Sequence, residues 1–216
     1  VYQWNSTEWI QLGSDIDGEA QGDESGRSVA LSADGTIVAI GARYNDGNGY
    51  GSGHVRVYTV NTLLDTDRDG VSDFYDNAPT DPTITEPEPE PFWIQLGSDI
   101  DGEAAGDNSG WSVALSSDGT VVAIGAIYND GNGNWSGHVR VYQWNGTEWT
   151  QLGDDIDGEA AYDWSGRSIA LSSDGSIVAI GAKYNDGNGD YSGHVRVYQY
   201  RSDSWAQLGS DIDGEA

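Results

Sequence analysis

The sequence predicts an all-β protein, a β-propeller built from four-stranded antiparallel blades of 56 residues. Three observations lead to this fold class. The motif Trp-x-Gln-Leu-Gly recurs along the 216-residue chain, and its last two copies, at Trp149 and Trp205, lie 56 residues apart. Each repeat contains four strand-like runs, and no segment sustains the helical period of 3.6 residues. A fixed period in this range is typical of propellers, solenoids and arrays.

The four runs of the last copy show why each is expected to be a strand. They are Ser168–Ser172, Ile177–Ala182, His194–Tyr200 and Trp205–Gly209. The second run is apolar on both faces, so neighbours must cover it on both sides. The third alternates, and the fourth is short and partly polar, as suits an outer edge strand. Sheets covered in this way are propeller blades stacked between neighbours. A β-solenoid is the alternative, but its coils usually repeat at a shorter period.

An interruption divides the repeats. The first spacing between equivalent motifs is 84 residues, because 28 additional residues occupy positions 64–91. We expect propeller blades in 1–63 and 92–216, and a separate segment in 64–91. That segment either links two propellers or is inserted in a hairpin between the third and fourth strands of one blade. Its alternating Glu and Pro residues predict an extended spacer. Because the sequence stops at the end of a repeated motif, we expect it to be part of a longer chain.

The interruption carries a calcium-loop pattern. Counting Asp65 as position 1, carboxylates occupy positions 1, 3, 5, 9 and 12, and Gly70 occupies position 6. In an EF-type loop this spacing lets alternating side chains converge on one ion, and the glycine permits a sharp turn. Clustered carboxylates without a cation would repel one another. We therefore predict Ca²⁺ as the cofactor, held by Asp65, Asp67, Asp69, the carbonyl of Val71, Asp73 and Asp76.

Composition excludes several classes of protein. The chain has 36 acidic and 9 basic side chains and a formal net charge of -27, which disfavours a surface that neutralises nucleic-acid phosphates or anionic membrane. No apolar stretch approaches the roughly 18 residues of a membrane-spanning helix. The absence of cysteine removes disulfides and thiolate chemistry. We also expect no enzyme, because the carboxylate pairs are copied in every repeat and a glycosidase needs one singular pair in a cleft.

Two family resemblances follow from these motifs. The runs Ser-Gly-Arg-Ser-Val-Ala-Leu-Ser, Ile-Val-Ala-Ile-Gly-Ala and Gly-His-Val-Arg-Val-Tyr resemble the Phe-Gly/Gly-Ala-Pro (FG-GAP) repeat of integrin-α-like β-propellers. The resemblance covers nearly all of the chain outside 64–91, and it implies a seven-bladed propeller used in extracellular adhesion or as a scaffold. The chain departs from the name-giving residues: Ser25, Ser109 and Ser165 replace the Phe, and Arg43, Ile127 and Lys183 replace the Pro. No blade has the calcium-loop spacing that members of this family often carry.

The second resemblance lies in the interruption. Asp65–Pro79 is similar to a thrombospondin type 3 repeat, except that Ala78 stands where that family has Cys. This resemblance implies a calcium-binding segment without the family's disulfide. Extracellular calcium modules bind with a Kd of about 10⁻⁴–10⁻³ M, which suits the outside of a cell rather than a cytosolic sensor.

Other recurring residues give weaker indications. The three histidines occupy one repeat position, which favours a structural role at the start of a strand. The pattern Asp-x-Asp-Gly-Glu-x-x-x-Asp, first seen at 15–23, either binds calcium between blades or forms turns in which Asp accepts backbone hydrogen bonds; we favour the turns. Three Asn-x-Ser/Thr sequons fall in expected loops and predict a glycoprotein if the source glycosylates them, at Asn5, Asn134 and Asn145.

These observations predict an extracellular, calcium-binding repeat protein. We expect it to act as a structural or adhesive element of a cell-surface filament, sheath or large adhesin. Its expected partners are calcium and other copies of itself or neighbouring repeats of a longer chain, with no nucleic acid and no membrane insertion. The alternative is a lectin-like propeller that binds glycans through exposed aromatic side chains. A propeller hydrolase is a distant third hypothesis.

Overall fold

The computed structural model describes residues 1–4, 6–61 and 92–215. It divides into two compact units, one of Val1–Ile16 with the described part of Thr59–Ile94, and one of Asp17–Tyr58 with Gln95–Ala216. Across the described residues the regular structure is β, with no helix and therefore none that could cross a membrane. The predicted calcium ligands at 65–76 and the sequon at Asn5 lie outside the described residues.

The first unit contains a short hairpin. Its strands are β1 (Tyr2–Trp4) and β2 (Trp9–Gln11), which pair antiparallel. Each strand contributes one tryptophan to a facing pair whose ring centroids lie 5.6 Å apart. The indole nitrogen of Trp93 donates a hydrogen bond of 2.9 Å to the carbonyl of Leu12. The Trp-x-Gln-Leu-Gly motif thus supplies both an aromatic contact and a hydrogen bond.

Three antiparallel sheets, which we call blades 1, 2 and 3, follow one another along the chain. In each, four strands lie in chain order, and a fifth strand of two residues pairs with the start of the third. Blade 1 has β3 (Ser25–Leu31), β4 (Ile37–Ala42), β5 (His54–Asn61), β6 (Phe92–Gln95) and β7 (Ile100–Asp101); blade 2 has β8 (Ser112–Leu115), β9 (Val121–Ala126), β10 (His138–Trp144), β11 (Trp149–Gln151) and β12 (Ile156–Asp157); blade 3 has β13 (Ser165–Leu171), β14 (Ile177–Ala182), β15 (His194–Arg201), β16 (Ser204–Gln207) and β17 (Ile212–Asp213).

The four predicted strands per repeat are confirmed, with corrections at their ends. In blade 3 the first strand begins at Ser165 rather than Ser168, because a bulge between these residues admits extra chain. The fourth strand ends at Gln207 rather than Gly209, which takes a positive φ of 73°. The fifth strand was not predicted, because two residues are too few to show a period.

The hydrophobic core lies between successive blades. Every residue of β9 is buried, as its apolar pattern on both faces predicts. Apolar side chains of neighbouring blades pack together in two clusters, and burial of such surface is the main favourable term in folding. The first cluster joins Val121, Ala123, Val139, Val141 and Ile156 of blade 2 to Val178, Ile180 and Tyr198 of blade 3. The second joins Ala39, Val55, Val57 and Ile100 of blade 1 to Val122, Ile124 and Tyr142 of blade 2.

Polar loops also connect the blades. The side-chain amide of Asn48 donates hydrogen bonds to the carbonyls of Gly102 at 2.8 Å and Glu103 at 3.1 Å. Asn132 makes the equivalent bonds one repeat later, at 2.9 and 3.0 Å. These contacts fix the loop that enters each following blade, and so position the acidic residues that this loop carries.

The predicted Asp-Gly turns are confirmed. In blade 1, Oδ1 of Asp34 accepts hydrogen bonds from the Ser32 hydroxyl at 2.7 Å and the Thr36 amide at 3.0 Å. These bonds stabilise the ionised carboxylate and lower the pKa of Asp34 to about 2. Asp174 has the same contacts and the same lowered pKa. These aspartates therefore have a structural role, since each carboxylate accepts hydrogen bonds from both ends of its turn.

Candidate functional site

Each blade brings one histidine beside two carboxylates that are distant in sequence. In blade 1 the histidine is His54, the first residue of β5. The short strand β7 pairs with this end of β5, with His54 opposite Asp101. The pairing places Asp99, two residues earlier, beside the imidazole, and the loop before β3 supplies Glu19. We call the three groups the Glu–His–Asp triads: Glu19, His54 and Asp99; Glu103, His138 and Asp155; and Glu159, His194 and Asp211.

The geometry of the triads is nearly constant. In each, one imidazole nitrogen and one oxygen of each carboxylate lie within 4.8 Å of one another. The histidine Nδ1 to aspartate Oδ2 distance is 3.4, 3.5 and 3.8 Å in blades 1, 2 and 3. The Nδ1 to glutamate Oε2 distance is 3.8, 3.8 and 3.6 Å. The same cluster is therefore built three times by the same strand register.

The outer oxygen of each carboxylate is held by another side chain. The Gln95 amide donates a hydrogen bond of 2.6 Å to Oδ1 of Asp99, which leaves Oδ2 facing the histidine. Nη1 of Arg56 lies 3.6 Å from Oε1 of Glu19, which leaves Oε2 facing the same imidazole. Equivalent glutamine and arginine contacts recur in blades 2 and 3.

The arginine also fixes the loop that carries the glutamate. Nη2 of Arg56 donates a hydrogen bond of 2.8 Å to the carbonyl of Asp17, two residues before Glu19. Arg140 and Arg196 make the equivalent bonds at 2.7 and 2.6 Å. The motif Gly-His-Val-Arg-Val-Tyr thus places both the histidine and the side chain that orients its carboxylate neighbour.

Burial differs sharply within a triad. The side chain of His54 is 1% exposed, whereas those of Glu19 and Asp99 are 45% and 28% exposed. Nδ1 of His54 and of His138 forms no hydrogen bond with any described residue, although both atoms are buried. The imidazole of His138 lowers the pKa of the neighbouring Asp155 carboxyl. Each triad thus combines a buried imidazole with two carboxylates that are partly exposed to solvent.

The structure refines two interpretations of these repeated residues. The hydrogen-bonded turn is confirmed at Asp23, whose buried carboxylate accepts bonds from the Ala20 amide and the Asn45 side chain at 3.2 and 3.0 Å. The histidines do begin strands, as expected, but sequence analysis missed their carboxylate neighbours. The sequence did contain one indication of this grouping, since the glutamate, the histidine and the aspartate all recur at fixed positions of the repeat.

A second feature is a continuous row of aromatic rings in blades 2 and 3. Residues 95–145 and 151–201 are identical at 39 of 51 positions, and six of the differing positions lie in or beside this row. Neighbouring ring centroids lie 4.6–6.1 Å apart. Trp135, Tyr162 and Tyr191 are 47%, 54% and 72% exposed. The aromatic row consists of Trp111, Tyr128, Trp135, Tyr162, Trp164, Tyr184 and Tyr191.

Four basic side chains lie along the aromatic row, three of them around Trp111 at one end. The guanidinium groups of Arg27, Arg43 and Arg167 lie 4.4, 4.5 and 4.8 Å from the ring centroid of Trp111. Lys183 lies 4.6 Å from the ring of Tyr184. These four side chains are a large share of the 9 basic residues in a chain of net charge -27. The row is therefore chemically distinct from the acidic surface elsewhere.

The other predicted site residues have separate outcomes. The ligands Asp65, Asp67, Asp69, Val71, Asp73 and Asp76 lie outside the described residues, so the calcium loop stays a prediction. Asn134 and Asn145 are exposed, and their glycosylation stays a prediction too.

Comparison with protein families decides the first resemblance. The family model described as "FG-GAP repeat" matches residues 15–58, 100–142 and 156–198, which together are more than half of the chain. The chain belongs to the FG-GAP repeat family. Each matched range contains the glutamate and the histidine of one triad, whereas the three aspartates, Asp99, Asp155 and Asp211, lie outside the matched ranges. The resemblance of Asp65–Pro79 to a thrombospondin type 3 repeat stays a prediction.

Solved structures show a likeness of fold alone. The FG-GAP chain is similar to a candidate 6-phosphogluconolactonase from Bacteroides uniformis ATCC 8492, with a TM-score of 0.51 and 12% identity over 98% of this chain and 48% of that one. It also matches Sqt1 of Saccharomyces cerevisiae, with a TM-score of 0.47 and 13% identity over 95% of this chain and 39% of that one. The chain thus spans less than half of either structure. Comparison with curated proteins returns no match.

Proposed function

We propose that these FG-GAP repeats form part of an extracellular, calcium-supported repeat protein that acts as a structural or adhesive element at the cell surface. The proposal includes a non-enzymatic role and contact with further copies or further repeats. The observation that carries it is a pair of complementary apolar faces on blades 1 and 3. The side chains exposed on these two faces occupy the same repeat positions as side chains that pack between blades 1 and 2 and between blades 2 and 3.

The exposed face of blade 1 is defined by Val29 and Leu31. Their side chains are 63% and 51% exposed. In blades 2 and 3 the equivalent residues pack against the core clusters: Val113, Leu115, Ile169 and Leu171. The apolar positions of blade 1 are therefore formed to meet a preceding blade.

The exposed face of blade 3 is the other half of the same junction. Val195 and Ile212 are 36% and 61% exposed. The equivalent pair in blade 2, Val139 and Ile156, is 0% and 5% exposed, and lies in the cluster that receives Leu171 of the next blade. The two faces are thus complementary and different, which is the condition for head-to-tail association that closes a ring or extends a filament.

Calcium support rests on the sequence of the interruption. The carboxylate spacing at Asp65–Asp76 matches the ligand positions of an EF-type loop. We propose that the segment 64–91 is a calcium-stiffened linker between groups of blades. An extracellular location supplies the millimolar calcium that loops of this class require.

Glycan binding is the second candidate, and the aromatic row favours it. Exposed aromatic side chains provide large, rigid contact area with little loss of conformational entropy. The basic side chains around Trp111 would select an anionic sugar. On this alternative the row, rather than the apolar faces, makes the functional contact.

Sedimentation velocity of the 216-residue protein over a range of micromolar concentrations tests the proposal. We expect reversible association that Leu31→Glu abolishes, because it places a charge in the apolar junction. Asn145→Glu, at an exposed loop position, is the matched control and should associate normally. A wild-type monomer at every concentration would count against the structural role. If that monomer bound an acidic polysaccharide saturably and Trp135→Ala lost the binding, the lectin alternative would replace it.

A further inference from the structure

We propose that each Glu–His–Asp triad is a binding site for a divalent transition metal of the zinc class. The sites would lie at the start of β5, β10 and β15, one per blade. This inference does not depend on the adhesive role or on the calcium loop. It rests on ligand type, ligand distance, the orientation of the carboxylates and an unpaired buried nitrogen.

Ligand type selects the metal. One imidazole nitrogen and two carboxylate oxygens form a donor set that zinc and its neighbours accept. Calcium instead takes six to eight oxygen ligands, which a triad with a nitrogen donor does not supply. The metal in the triads would therefore differ from the calcium predicted at Asp65–Asp76.

Ligand distances agree with this choice. Zinc binds nitrogen and oxygen at about 2.0–2.2 Å, so two ligand atoms on one ion lie about 3.0–3.6 Å apart. The separations from Nδ1 to the two carboxylate oxygens run from 3.4 to 3.8 Å across the three triads. Each Nδ1–oxygen separation is therefore within a few tenths of an ångström of the range for two ligands of one ion, and the three ligand atoms of a triad all lie within 4.8 Å of one another.

The surrounding side chains orient the carboxylates as outer groups do in metal sites. Gln151 donates to Oδ1 of Asp155 at 2.7 Å, and Nη1 of Arg140 lies 3.6 Å from Oε1 of Glu103. Each contact engages the far oxygen, and the near one faces the shared position beside His138. The near oxygen of Glu103 also accepts a hydrogen bond of 3.5 Å from the Asn129 side chain, which orients it further. Hydrogen-bonded outer partners of this kind typically fix the ligands of a metal.

The buried nitrogen is the independent observation. Nδ1 of His54 and of His138 is buried, faces both carboxylates, and makes no hydrogen bond to any of the described residues. In blade 3 the buried histidine nitrogen without a hydrogen bond is Nε2 of His194, so this observation supports the sites of blades 1 and 2, and blade 3 rests on its matching ligand distances. An unsatisfied buried polar atom carries a desolvation penalty of about 1–3 kcal/mol. A metal ion at the shared position would satisfy this nitrogen and offset the repulsion between the two carboxylates.

Zinc stoichiometry of the untagged protein tests the inference. The protein is stripped of metal, dialysed into millimolar calcium to fill oxygen-ligand sites, and titrated with Zn²⁺ by calorimetry. Elemental analysis then gives the bound zinc. We expect three zinc ions per chain, one per triad. His138→Gln, which keeps a polar side chain of similar size, should lower the number by one. Asp118→Asn, in an exposed turn outside the triads, is the control and should leave it unchanged.

A second variant guards against a folding defect. Asp155→Asn changes a carboxylate that is 27% exposed, and should also remove one zinc ion without altering the far-ultraviolet circular dichroism. Absence of zinc binding by the wild type would overturn the inference and leave the triads as contacts between a buried histidine and two carboxylates. A stoichiometry that neither variant changes would overturn it equally, because the zinc would then be bound elsewhere.

Discussion

Replacing Gly125 with alanine is expected to lower the free energy of unfolding by about 3 kcal/mol, which is near the upper end for overpacking in a core. Gly125 lies on β9 where blade 2 meets blade 3. A Cβ atom there would overlap the carbonyl oxygen of Gly166 and lie 2.6 Å from Oγ of Ser112. Backbone cannot yield as a flexible side chain does, so the two blades would have to separate.

The repeat supplies a matched control for this substitution. Gly181 occupies the same position in blade 3, but the described atoms that a Cβ would meet there belong to Ser168 of the same blade. The exposed Ser168 side chain can rotate away, and alanine is otherwise better than glycine in a strand by about 0.5–1 kcal/mol. Gly181→Ala should therefore change stability by less than about 1 kcal/mol. Urea unfolding followed by tryptophan fluorescence, at a protein concentration below that of association, measures both losses. Equal losses there would mean that close contact between blades is not the cause.

The second large effect is expected at Leu115. Leu115→Ala should cost about 2–3 kcal/mol, because this partly buried side chain packs against the cluster between blades 1 and 2. Leu31 has the same identity and the same repeat position, but its side chain is 51% exposed. At a protein concentration below that of association, Leu31→Ala should cost less than about 0.5 kcal/mol, as for most exposed positions.

The same urea experiment distinguishes the two leucines. A loss at Leu31 as large as that at Leu115 would show that blade 1 is already covered in solution, by another copy of the chain. Repeating the measurement at a lower protein concentration decides this, because stability that depends on association falls on dilution. A small loss at both positions would contradict the packing between blades.

The sequence predicts most of the strands of a blade, but few of the contacts between one blade and the next. The run Val121–Ala126 is identifiable as a buried strand because it is apolar on both faces, and the Asp-Gly turns fix where its hairpin begins. The strand β17 is only two residues long, which is too short to produce a recognisable alternation in the sequence. The equivalent strands of blades 1 and 2, β7 and β12, are equally short. Their pairing with β5 and β10 nevertheless brings the aspartate of each triad beside its histidine.

The triads and the aromatic row needed coordinates for a related reason. Recurrence of Glu19, His54 and Asp99 is visible in the sequence, but the aspartate comes from the following repeat, and only strand pairing brings it beside the histidine. The rings of the aromatic row come from separate loops of two blades, for example Trp135 and Tyr162 at 5.8 Å. Repetition first suggested a purely structural histidine, whereas the geometry gives each histidine two acidic neighbours.

Head-to-tail contact between the two exposed apolar faces is the central claim, and chemical cross-linking tests it most directly. The chain contains no cysteine, so Leu31→Cys and Ile212→Cys each introduce a single thiol, one on each face. A short bis-maleimide is added to each variant alone and to their mixture. We predict that the mixture forms cross-linked dimers far more readily than either variant alone, because the two thiols meet only across a junction. Equal cross-linking of Leu31→Cys with itself, or no cross-linking in the mixture at concentrations where the protein associates, would contradict the claim.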